Sequence, residues 1–160
     1  MACHFQTRGK PQPGTLFTAL AAPLFATMHL WAVLARALPG ALAALACYAA
    51  GIALFWSAVA ATRGRRLSAC FERRTPQAVV TAGPYRFIRH PFYDSYLLVW
   101  TGGLAATGWW PLAIPVVVMG TVYYLAARQE ERDLLDGPLG GTYRAYMQKT
   151  GAFLPSLRRA

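Results

Sequence analysis

The sequence predicts an all-α, polytopic membrane protein with four transmembrane helices, both termini cytosolic, and a short cytosolic C-terminal helix over the site. Three observations predict it. Hydrophobic residues make up 56% of the 160 and charged residues 14%, where a soluble domain carries about 25% charge. Long apolar stretches alternate with Pro/Gly turns and arginine-rich segments. The basic residues are unevenly spread: two in the first 14 positions, one at Arg36, seven in 63–90 and six from 128 onward. Spans that leave Arg36 alone on the far side satisfy the positive-inside rule. A net charge of +10 on a soluble chain would point to nucleic acid. Arginines tethered between membrane spans face anionic headgroups instead, so membrane lipids are expected partners and nucleic acid is not.

Residues 1–14, with Arg8, Lys10, Pro11 and Pro13, read as a polar lead-in. Thr15 to Ala35 is an uncharged run of 21 residues, about 31 Å long as a helix and close to the ~30 Å hydrocarbon core. It lacks a signal-peptide cleavage signature and reads as a retained span. His29 inside it is expected to bond a neighbouring helix. Pro39-Gly40 breaks the chain, and Arg36 can snorkel to the interface. Ala41 to Thr62 is the second span. Its alanines and Gly51 make a small face that allows close helix approach. Residues 15–62 are therefore expected to form a tight antiparallel hairpin that serves as scaffold.

Residues 63–90 hold seven arginines against one acid, Glu72, and are interrupted by Pro76 and Gly83-Pro84. They read as a cytosolic connector. Pro91 suits the first position of a helix, where its missing N–H costs nothing. Phe92 to Thr107 is a third apolar run, about 24 Å long and short for a span. Trp109 and Trp110 turn the chain at the far interface, where tryptophans gather. Trp109 to Ala127 is the fourth span, with Pro115 inside it expected to kink it. In the tail, Tyr143, Tyr146 and Met147 lie on one face of a short helix over Thr142 to Lys149. Cys3, Cys47 and Cys70 are odd in number and form no C-x-x-C, so neither a disulfide framework nor a metal site is expected. Cys47 reads as a buried small apolar residue. His4, His29 and His90 have no zinc-type spacing.

Two polar clusters bracket the second pair of apolar runs on one membrane side. The first is Gly83-Pro84-Tyr85-Arg86-Phe87-Ile88-Arg89-His90-Pro91-Phe92-Tyr93; the second is Arg128-Gln129-Glu130-Glu131-Arg132. Arginine forks bind carboxylates bidentately, and the helix start at Pro91 offers free N–H groups to anions. Glu130 and Glu131 point about 100° apart on a helix and make no paired-acid site on one face. One is expected to face a ligand while the other pairs with Arg128, Arg132 or Arg86. A ligand bearing both an ammonium and a carboxylate, such as an amino acid headgroup, matches the two clusters.

These motifs resemble the integral membrane methyltransferase family that includes isoprenylcysteine carboxyl methyltransferase and the phospholipid N-methyltransferases. The resemblance rests on Gly83-Pro84-Tyr85-Arg86, Arg89-His90-Pro91, Tyr93, the apolar hairpin and Glu130-Glu131-Arg132. Leu139-Gly140, Tyr143, Tyr146 and Leu154-Pro155 extend it through the tail. It implies S-adenosylmethionine-dependent methyl transfer at the cytosolic membrane surface, with S-adenosylhomocysteine as product, in a bacterial inner membrane. Residues 63–160 would form the catalytic region. Tyr85, Arg86, Arg89, His90, Pro91, Tyr93, Glu130, Glu131, Tyr143 and Tyr146 would line or brace the cofactor, with Arg89, His90 and Glu131 at the catalytic centre. A lipophilic small-molecule or lipid acceptor would enter between helices.

The first reading of the acceptor is a carboxylate, as in isoprenylcysteine carboxyl methyltransferases. The alternative is a phospholipid or small-amine N-methyltransferase, in which His90 or a glutamate takes a proton. A third reading is a non-catalytic membrane transport or assembly protein, separated from the others by cofactor binding. The chain departs from the family at Asp94-Ser95, where a small or aliphatic pair is usual. Asp94 either shifts acceptor preference toward a cationic group or is a helix-start charge favoured by the dipole.

Overall fold

A computed structural model describes residues 13–63 and 79–156. Arg65, Arg66, Glu72, Arg73, Arg74 and Pro76 of the expected connector lie outside the described residues, as do Arg8, Lys10, Cys3, Cys70 and His4. The chain forms α1 (Pro13–Ala35), α2 (Ala41–Thr62), a 3-10 turn (Gly83–Arg86) and α3 (Pro91–Thr107). A second 3-10 turn (Trp110–Leu112), α4 (Ala113–Leu135) and α5 (Gly140–Lys149) follow. The fold is all-α among the described residues, apart from an isolated parallel bridge between Ile88 and Gly151.

Three segments are long and apolar enough to cross a membrane: Thr18–Ala35, Ala41–Thr62 and Trp110–Leu135. Leu20, Leu24, Leu34, Leu42 and Leu45 stand exposed on α1 and α2. Helices that are apolar all round belong in lipid, and the protein is a polytopic membrane protein. The expected third span, α3, has 17 residues, about 26 Å, and falls below the length of the other three.

The small face of α2 packs on α3, not on α1 as the sequence reading had it. A Cβ on Gly51 would sit 3.1 Å from the Ser95 carbonyl oxygen, and one on Gly102 would sit 2.6 Å from the Tyr48 ring. The pair is antiparallel: the Phe55 and Phe92 rings meet at 5.5 Å at one end, and Gly40 N–H donates to the Ala106 carbonyl at 3.1 Å at the other. Absent side chains let the backbones approach this closely. α1 leans on α3 as well, its His29 ring filling the space over Gly103. His29 Nε2 and the Tyr48 hydroxyl lie 2.9 Å apart, the expected bond to a neighbouring helix. Cys47 is half-buried rather than buried.

At the end of the bundle formed by Arg36, Gly40 and Thr107, the Arg36 guanidinium lies 4.9 Å from the Trp109 ring centroid. Trp31 packs on the same ring at 5.4 Å. This is a cation–aromatic belt of the kind found at membrane interfaces. Gly108 closes α3 in the left-handed region (φ 61°), its N–H donating to the Leu104 carbonyl. α4 then returns antiparallel to α3. Pro115 lies in its first turn, where N–H groups have no intrahelical partner, so it marks a helix start instead of the expected mid-helix kink. α4 also runs two turns past Ala127, which carries Glu130 and Glu131 within a rigid helix.

Candidate active site

Pro91 is fully buried at the first position of α3 and restricts the backbone of His90 before it. The tail after α5 returns beside them. Arg89 N–H donates to the Gly151 carbonyl at 2.9 Å, His90 N–H to the Ala152 carbonyl at 3.1 Å, and Gly151 N–H to the Phe87 carbonyl at 3.2 Å. This lacing turns the Arg89 side chain inward. Arg89 Nε donates to Glu131 Oε1 at 2.7 Å. Its Nη1 donates to the carbonyls of Thr150 and Met147. The two side chains are 10% and 5% exposed, so the pair is desolvated and hydrogen-bonded, which a buried charge requires.

His90 lies between the two carboxylates. Its Nε2 is 3.3 Å from Glu131 Oε1 and its Nδ1 is 3.6 Å from Glu130 Oε2. Tyr93 donates its hydroxyl to Glu130 Oε1 at 2.6 Å. The Tyr93 ring stacks on Tyr123 at 5.2 Å and on His90 at 5.6 Å, and Phe153 closes on His90 at 5.7 Å. Glu130 differs from its neighbours in being 38% exposed. Of the two glutamates it is the one whose side chain is accessible.

α5 lies over this cluster. Tyr146 donates its hydroxyl to the Tyr85 carbonyl at 2.6 Å, and Thr150 donates back to the Tyr146 carbonyl at 2.8 Å. The Tyr143 ring is buried 5.8 Å from Tyr146. Burial pushes the Tyr146 phenol up to about 12 and raises Tyr143 as well. Both stay protonated near neutral pH, so Tyr146 remains a donor.

The structure brings Arg89, His90, Tyr93, Glu130 and Glu131 together, with Tyr143 and Tyr146 above them and Tyr85 joined through its carbonyl. Arg86 stands exposed on the 3-10 turn. The arginine partner of Glu131 is Arg89, not Arg128, Arg132 or Arg86 as the helix geometry suggested. Although the two carboxylates leave α4 in different directions, they meet one imidazole from its two nitrogens. Tyr123, Thr150 and Phe153 were not anticipated. Tyr123 had a signal: it precedes Glu130 by seven residues, two helical turns, and so shares its face. Thr150 and Phe153 had none, because the return of the tail depends on backbone bonds to residues 87–90.

Residues 40–138 match the family model for phospholipid methyltransferase. The chain belongs to the phospholipid methyltransferase family. The matched region contains α2, α3, α4 and both polar clusters; α1 and α5 flank it. A methanethiol S-methyltransferase from Pseudomonas deceptionensis is 36% identical over 77 residues, which are 47% of this chain and 28% of that protein. The matched chain thus spans little more than a quarter of that curated relative's length. No solved structure matches the chain. The phospholipid methyltransferase match covers the Arg89–His90–Tyr93 side of the cluster and the Glu130–Glu131 side alike.

Proposed function

We propose that this chain transfers a methyl group from S-adenosylmethionine to an amine on a phospholipid or small lipophilic molecule at the membrane surface. The observation that carries the reading is Glu130. It is a half-exposed carboxylate, oriented by Tyr93 and His90, in an otherwise buried cluster inside the family match. The residues present fit the cofactor's chemistry. Glu130 would accept from its ammonium, and the negative charge of that carboxylate suits a cationic ligand. The cofactor would supply a methyl activated on positive sulfur, to which an unprotonated acceptor's lone pair bonds as the carbon–sulfur bond breaks and S-adenosylhomocysteine leaves. The protein's part is then to position and to exclude water. Arg89 and Glu131 act through others: their mutual bond and the Arg89 bonds to Thr150 and Met147 hold His90 and the tail in place.

The family match and the relative's printed activity favour the amine alternative or a small acceptor over the carboxylate first taken from the sequence. A thiol acceptor is the second reading, supported by the relative alone. We read α3 as the fourth crossing segment, both termini and the cluster as cytosolic, and the catalytic unit as reaching back through α2. The α2–α3 packing and a family match that starts at residue 40 support that wider unit. The test uses the full chain in nanodiscs with methyl-labelled S-adenosylmethionine. Phosphatidylethanolamine, alkylamines, alkylthiols and fatty carboxylates are offered in turn. Label should enter an amine, and Glu130→Gln should abolish it. Label in the carboxylate alone would overturn the choice of acceptor, and label in none would overturn the activity.

A further inference from the structure

A groove of about 470 Å³ opens beside the cluster, between α2, α3 and the returning tail. Its walls are apolar: Leu54 from α2, Leu97 and Leu98 from α3, Ile88 before α3, and Phe153 from the tail. Phe153 is a shared wall, since its ring also lies 5.7 Å from the His90 ring. The volume is that of a site for a small organic ligand, far larger than the smallest thiols require. Among the described residues one acid lines it, Asp94, and none of the lining residues carries a positive charge. Asp94 Oδ2 is buried and has no hydrogen-bond partner among the described residues.

A carboxylate oxygen withdrawn from water without a donor is costly, and native proteins rarely leave one so. The position of Asp94 in the first turn of α3 explains a tolerated negative charge. It does not explain the orphaned oxygen, because no helix N–H reaches it. A donor supplied by a ligand in the groove would complete it. Charge complementarity specifies that donor: a cationic N–H group, attached to an apolar body that lies along the leucines.

We propose that Asp94 is a specificity-determining residue, which accepts a hydrogen bond from the ammonium head of an amphiphilic amine bound in this groove. The assignment rests on the methyltransferase reading above and narrows its acceptor. Asp94 holds and selects the head, which gives up one proton to solvent through the open groove before its nitrogen lone pair bonds to the methyl; neither thiols nor carboxylates can serve Asp94, the first lacking the charge and the second repelling it.

The full chain in zwitterionic nanodiscs is compared with Asp94→Asn and Asp94→Leu. Three readouts are taken: S-adenosylhomocysteine affinity, equilibrium binding of dodecylamine without cofactor, and labelled-methyl transfer to dodecylamine, dodecanethiol and dodecanoate. Both variants should keep the cofactor affinity, which also shows that they fold. They should lose dodecylamine binding by about tenfold or more, and kcat/KM for the amine should fall by a similar factor, carried by KM. Transfer to the thiol should not fall. Cofactor binding with amine affinity indifferent to both substitutions would overturn the role of Asp94 while leaving the methyltransferase reading standing. Loss of cofactor binding and of transfer in the parent itself would overturn both.

Discussion

The Arg89 guanidinium is committed to the protein: Nε to Glu131, and Nη1 to the carbonyls of Thr150 and Met147. Arg89→Ala would leave the buried Glu131 with only its longer contact to His90, and breaking a buried pair costs about 3–5 kcal/mol. Arg89→Lys should fare little better, because a point charge cannot span a carboxylate and two carbonyls. Thermal unfolding in detergent should show a large drop in Tm for both; an unchanged Tm would contradict the positioning role. Tyr146 offers a second test. Its phenol is raised from 10.0 to about 12 by burial, so the folded state holds the proton more tightly than the unfolded state. Its contribution is therefore complete below pH 10 and is lost as pH rises from 10 to 12. Tyr146→Phe should cost about 1 kcal/mol at neutral pH and show a shallower alkaline loss than the parent, read from unfolding across pH 8–12. At this scale the sequence singled out His90, Tyr93 and the glutamate pair by type and spacing, and the structure brings them together. It did not reveal which arginine pairs with Glu131. That is decided by the tail bonds to residues 87–90, and local spacing carries no trace of them.

The helices were legible from length and apolar content, and their boundaries agree closely for α2 and α3. Their partners were not. The small face of α2 announces a close neighbour without naming it, and the named neighbour, α1, was wrong. Gly102 and Gly103 on α3 were passed over; they provide the matching recess for Tyr48 and His29. Gly40 marks the tightest point, where an added Cβ would run into the Ala105 backbone carbonyl. Gly40→Ala should thus force α2 away from α3 and destabilise the protein by about 1–3 kcal/mol, as overpacking does. Gly141→Ala in α5, where nothing lies within 4 Å of the new Cβ, should be neutral or stabilise by up to about 1 kcal/mol. Equal effects of the two on Tm would contradict the packing account. The apolar run that marks the fourth span stops at Ala127 because the last two turns of α4 are polar, while the helix continues through the glutamate pair to Leu135. Hydropathy marks where a helix leaves the apolar region, not where it ends.

The whole molecule places its cation–aromatic belt of Arg36, Trp31 and Trp109 at one end and the buried cluster near the other. Fusion reporters should read cytosolic at both termini and non-cytosolic at Gly108. An odd number of crossings, with the termini on opposite faces, would remove α3 from the set of spans. The central claim is that Glu130, with His90 and Tyr93 beside it, forms the cofactor site. The direct measurement is calorimetric titration of the nanodisc-held protein with S-adenosylhomocysteine, beside Glu130→Gln. Saturable binding by the parent, and its loss in a variant with unchanged Tm, is the expected result. A folded parent that does not bind, or a Glu130→Gln variant that binds as tightly, would contradict it.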